Sequence, residues 1–106
     1  MTTFDKREEG FEKKFALDEE LKFKAEARRN KLLGLWTADK LGLSGDAASA
    51  YARDVVAADF DAAGDGVFRK VTGDLTSGNV TIPEEQIRAK MDELMAQAIA
   101  QVKAGI

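Results

Sequence analysis

Apolar residues in this chain recur three or four positions apart, and a single proline, Pro83, interrupts them. That spacing is the period of a helix face, and no run of alternating β-branched residues competes with it as a strand. Four helical stretches follow. The first spans about Asp18 to Leu41, is rich in strong helix formers, and carries a stripe of Leu21, Ala25, Leu32 and Trp36. Gly42, Ser44 and Gly45 end it and supply the turn. The second begins near Asp46, a suitable N-cap, and runs to about Ala62 behind Tyr51, Val55, Ala58 and Ala62. Gly64 and Gly66 break the chain, and a short third helix then carries Phe68, Val71 and Leu75 as far as Ser77-Gly78-Asn79. The fourth opens on Thr81-Ile82-Pro83-Glu84, which reads as a capping box with proline in the first turn. Ile87, Met91, Leu94, Ala98 and Val102 form its face. Short connections make neighbouring helices antiparallel. The expected fold is an all-α four-helix bundle with a long first helix. Trp36 and Tyr51 are its expected anchors, with Val55, Phe68, Val71, Leu75 and Leu94 in the same core and Met91 and Met95 filling gaps.

What the chain lacks narrows its chemistry. Its 106 residues amount to one domain, and they include neither cysteine nor histidine. Disulfides, thiolate zinc sites, cysteine nucleophiles and imidazole ligands are excluded, and Ser44, Ser49 and Ser77 have no base with which to build a Ser-His-acid triad. The expectation is a protein that is not an enzyme and needs no cofactor. Residues 1–14 contain no apolar leader core, and no stretch approaches the ~20 apolar residues of a membrane span. A cytoplasmic protein without direct membrane insertion is expected. The net charge of −3 disfavours indiscriminate nucleic-acid binding.

Three motifs invite a functional reading and each has a plainer one. Asp59, Asp61 and Gly64 match positions one, three and six of an EF-hand loop, but Ala63 and Lys70 fall where the fifth and twelfth positions need oxygen ligands. An acidic helix end and turn accounts for them. Gly64-Asp65-Gly66 opens a helix as a phosphate loop would, yet lacks the third glycine, the preceding strand and the lysine-serine pair. Arg28-Arg29-Asn30-Lys31 is the one concentrated basic run. An RNA- or ribosome-associated helical module built on it is the alternative function. On a helix, however, these side chains point about 100° apart, and no aromatic platform flanks them.

The charge is unevenly divided. Residues 1–31 hold nine basic and eight acidic side chains, whereas residues 32–106 hold seven and eleven. Four of the six phenylalanines, Phe4, Phe11, Phe15 and Phe23, nevertheless sit in that dense polyampholyte. On a helix Phe4, Phe11 and Phe15 lie within about 40° of one another. Arg7, Glu8, Glu12 and Lys14 flank them, a stripe too narrow for a core-facing helix. Gly10 within it costs about 1 kcal/mol relative to alanine. This pattern suits an arm that binds a partner better than an element of the core.

The sequence resembles the ζ subunit, or ζ-type inhibitor, of the α-proteobacterial F-type ATP synthase, over essentially its whole length. The specific stretches are Phe4-Asp5-Lys6-Arg7-Glu8 with Phe11-Glu12 and Lys14-Phe15, and the long run from Leu21 to Trp36 centred on Arg28-Arg29-Asn30. Ala50-Tyr51-Ala52, Val55-Val56, Val67-Phe68-Arg69-Lys70-Val71 and Ile87-Arg88-Ala89-Lys90-Met91 add to it. The resemblance implies a four-helix bundle, residues 18–106, carrying a mobile, charged N-terminal inhibitory arm, residues 1–17. It also implies a partner, the catalytic head of the ATP synthase, at one of whose catalytic interfaces the arm inserts to block ATP hydrolysis. Carried over by position, the contacts are Phe4, Arg7, Glu8, Phe11, Lys14 and Phe15. The protein is then a monomer when free, and peripheral to the inner membrane when bound. Gly10 and the histidine-free Ala16-Leu17-Asp18 depart from the family pattern.

Overall fold

A computed structural model describes residues 19–59 and 65–105. Among them are four helices: α1 (Glu19–Lys40), α2 (Gly45–Ala58), α3 (Gly66–Ser77) and α4 (Glu84–Lys103). The expected four-helix architecture is present, with the first helix the longest. Helix α1 is the hub. It lies against α2 on one side and α4 on the other, and α3 packs across all three. Glu19 and Glu20 in the first turn of α1, and Lys40 in its last, match the helix dipole at both ends.

Because α1 is covered on two sides, its buried surface is broader than the predicted stripe. Leu21, Leu32 and Trp36 are only half-buried, whereas Ala25, Asn30, Leu33, Gly34, Thr37 and Ala38 are enclosed. The decisive contact is at Gly34. A Cβ at this position would stand 2.6 Å from the Ala52 Cα, so α1 and α2 meet backbone to backbone where both residues are small. Leu33, Val55, Val71, Leu75 and Ile87 fill the interior that this approach closes. Thr37 is tolerated there because its hydroxyl donates to the Leu33 carbonyl at 2.8 Å.

Trp36 and Phe68 correct the expected core. Both pack on its margin, half-buried, and each carries a cation on its outer face. The ammonium groups of Lys40 and Lys90 lie 5.7 and 5.9 Å from the Trp36 ring, and the Arg88 guanidinium lies 3.6 Å from Phe68. Truncating Trp36 therefore falls below the ~3–5 kcal/mol of a fully buried aromatic. Met91 is buried as expected, while Met95 is half-buried.

The helix ends also differ from their sequence signals. Ser44, not Asp46, is the N-cap of α2, and Asp46 lies within the first turn. That helix closes at Ala58 with Asp59 as its cap, and Ala62 lies outside the described residues. The capping box at Thr81 does not form. Pro83 is the N-cap of α4, and its carbonyl accepts from the Gln86 and Ile87 amides at 3.0 and 3.1 Å. The reason is steric: a residue preceding proline is pushed out of the helical region, so Ile82 cannot begin the helix. At the end of α1, Gly42 takes a positive φ of 79°, and the Leu43 amide donates to the Ala38 carbonyl at 2.8 Å. This is a Schellman closure. The end of α3 repeats it with Asn79 (φ 61°) in the left-handed position and Val80 donating to Leu75.

Two glycine substitutions separate helix propensity from packing. Gly34→Ala should destabilise the protein by roughly 1–3 kcal/mol through overpacking, despite its better propensity. Gly73→Ala meets nothing within 4 Å and should stabilise α3 by up to about 1 kcal/mol. Urea denaturation of the two variants checks the opposite signs.

Candidate partner-binding surface

The six residues predicted to contact a partner, Phe4, Arg7, Glu8, Phe11, Lys14 and Phe15, lie outside the described residues. So do Asp61, Ala63 and Gly64 of the EF-hand reading. Among the described residues there is no group of three or more acidic side chains placed to hold a metal ion, and no helix is long and apolar enough to cross a membrane.

The structure divides the basic run. Arg28 turns toward α4 and donates to the Gln101 side chain at 3.3 Å, while Arg29 Nε donates to Asn30 Oδ1 at 2.7 Å. Asn30 itself is wholly buried, and its Nδ2 has no hydrogen-bond partner among the described residues. Lys31 alone points to solvent. The run is thus split: Arg28 and Lys31 border one recess, while Arg29 turns to the buried Asn30.

Lys31, with Arg28, borders a feature that the sequence reading missed. Phe23, Ala27, Lys31 and Leu35 form an i, i+4 ridge on α1, opposite Ala52, Arg53 and Val56 on α2. Between them run two recesses of about 580 and 570 Å³ that share Lys31 and Val56 and so form one groove. Val102 of α4 closes one end. Phe23 is 62% exposed and Leu35 36% exposed, and they are the large exposed hydrophobic side chains among the described residues. The polar rim is cationic, comprising Lys24, Arg28, Lys31 and Arg53, with no acidic residue among the described lining. The period of α1 held half of this signal. The other half needs α2 placed beside it.

On the opposite side of α2, Tyr51 ties that helix to α3. Its hydroxyl donates to Asp74 Oδ2 at 2.7 Å, and the Lys70 ammonium sits 3.1 Å from the same oxygen and 5.1 Å from the ring. Burial, then the hydrogen bond to Asp74 and the charges of Asp74 and Asp54, hold the phenol well above its ordinary value.

These elements define a small helical bundle whose distinctive chemistry is a surface: a groove with an apolar floor and a cationic rim. The chain belongs to the ATPase inhibitor subunit zeta family, whose profile matches residues 1–101. Among matching solved structures, one determined by solution NMR is 55% identical, covers 81% of this chain and 99% of its own, and superposes with a TM-score of 0.70. No curated protein matches.

The Tyr51 contact gives a pH test. A raised pKa favours the neutral phenol in the folded state, so its stabilisation is intact below about pH 10 and is lost as pH climbs beyond that value. Tyr51 is the only tyrosine, so ultraviolet titration should report ionisation well above the ordinary phenol. Denaturation at rising alkaline pH should show a fall in stability that Tyr51→Phe removes.

Proposed function

We propose that this protein is a regulatory inhibitor of the F-type ATP synthase. The N-terminal arm, residues 1–17, inserts at a catalytic interface of the ATPase head and blocks ATP hydrolysis. The helical body, residues 18–106, carries and positions it. The observation that carries this reading is the family match, which runs from residue 1 and so includes the arm as well as the body. A mechanical block also asks for no reacting group, in keeping with a chain that has neither histidine nor cysteine.

Residue chemistry supports the division of labour. The described core is drawn from Ala25 to Ala98, and its helices cover one another through α1. Phe4, Phe11 and Phe15 are then the anchors that bury apolar area in the partner, while Arg7, Glu8 and Lys14 fix register and steer docking. An arm that orders on binding loses conformational entropy worth several kcal/mol, which the three aromatic side chains offset.

The test is ATP hydrolysis by the isolated ATPase head. Deleting residues 1–15 should abolish inhibition and leave the thermal midpoint nearly unchanged. Replacing Phe4, Phe11 and Phe15 together by alanine should do the same, with a loss of roughly 2–4 kcal/mol in binding rather than in folding. A truncated chain that inhibits as well as the full one would sink the arm mechanism, and a truncated chain that unfolds would place these phenylalanines in the core.

A further inference from the structure

We infer that the groove between α1 and α2 is a second docking site, and that it receives an acidic amphipathic helix of the ATPase head. The inference rests on the inhibitor reading for its partner, and on the geometry of the groove for its chemistry. Three observations converge. The exposed large hydrophobic side chains of the described body, Phe23 and Leu35, both line this groove rather than being scattered. Apolar surface gathered in one concave place marks an interaction site. From Phe23 to Leu35 the floor runs along α1 for about 18 Å, the length of three helical turns, which suits a helix laid into it.

Charge selects the occupant. Lys31 and Arg53 stand exposed on facing helices, and neither has an ion-pair partner among the described residues. Lys24, paired with Glu20 at 3.2 Å, and Arg28 extend the same cationic rim. A helix with an apolar face and carboxylates along its flanks would cover Phe23 and Leu35 and neutralise Lys31 and Arg53. A nucleic acid would need a wider basic field and flat stacking surfaces than this body of net negative charge offers.

Such a site has a mechanical purpose. An arm joined to a free body is held by its own contacts alone, whereas a body docked beside the cleft raises the effective concentration of the arm at its target. The groove would thus hold the inhibitor on the enzyme while the arm blocks turnover.

The experiment uses the full chain, with the isolated catalytic head of an F-type ATPase as the probe. Lys31→Glu combined with Arg53→Glu changes two exposed side chains, so helicity and thermal midpoint should match the wild type. Affinity for the head should fall about tenfold at low salt, with the gap narrowing as salt is added, while inhibition at saturation stays complete. The chain with Phe4, Phe11 and Phe15 replaced by alanine should lose inhibition and still bind, through the groove. A synthetic helix bearing leucines on one face and flanking glutamates should compete for that residual binding, and its lysine counterpart should not. Unchanged affinity of the charge-reversed chain, or equal competition by the lysine helix, would overturn the groove whatever the arm does. Binding that depends on the groove without inhibition by the wild-type chain would instead sink the inhibitor reading and support the groove. In the free protein, shifts of the Ala27 and Val56 amide resonances on removing residues 1–18 would assign the groove to the chain's own segment. The same shifts on raising protein concentration would assign it to a second copy, and either result overturns the proposal.

Discussion

The bundle depends on one close approach, that of Gly34 on α1 to Ala52 on α2. A Cβ on residue 34 would stand only 2.6 Å from the Ala52 Cα, so no side chain larger than hydrogen fits there without moving a backbone. The approach brings Leu33 and Val55 into one interior with Val71, Leu75 and Ile87. It also leaves α1 free on its far side to receive α4, which makes one long helix the common partner of the other three. A small domain buries a modest share of its surface, and a hub helix uses that share twice.

The same geometry produces the surface. Two helices held this close form a shallow trough along their outer seam, and the side chains that border it are Lys31 and Leu35 on one wall and Arg53 and Val56 on the other. Elsewhere the body sets cations against its aromatic rings, at the marginal Trp36 and Phe68 and at the buried Tyr51. Among the described residues, Phe23 has no such cover and is the most exposed large hydrophobic side chain. The contrast between shielded rings and this bare one separates structural aromatics from those free to meet a partner.

Helical periodicity made the number, order and approximate extent of the helices legible, because each has an apolar face and a breaker at its end. The hub was harder to read. Gly34 and Ala38 count for little on any hydrophobic scale, yet they are buried where Leu32 and Trp36 are only half-buried. Contact by small residues is a property of two helices together and leaves little trace in either one. The capping box at Thr81 failed for a local reason, the restriction that Pro83 places on Ile82. The basic run at Arg28 looked like a patch in one dimension and is split in space, Arg28 and Lys31 bordering the groove while Arg29 pairs with the buried Asn30. The groove needed facing walls from two helices, so a linear reading registered Lys31 as part of that run and missed Arg53. Family membership, by contrast, was legible from the residues themselves, since the match extends over residues 1–101.

In the proposed mechanism a body that folds on its own carries an arm that acts on the enzyme. Hydrogen exchange of the full chain, free and bound to the ATPase head, tests that separation most directly. Amides of Leu33, Val55, Val71 and Ile87 should be equally protected in both states, and new protection should fall on residues 1–17, with a lesser gain along the α1–α2 seam. Protection that rises in the core while residues 1–17 exchange as in the free chain would contradict the account.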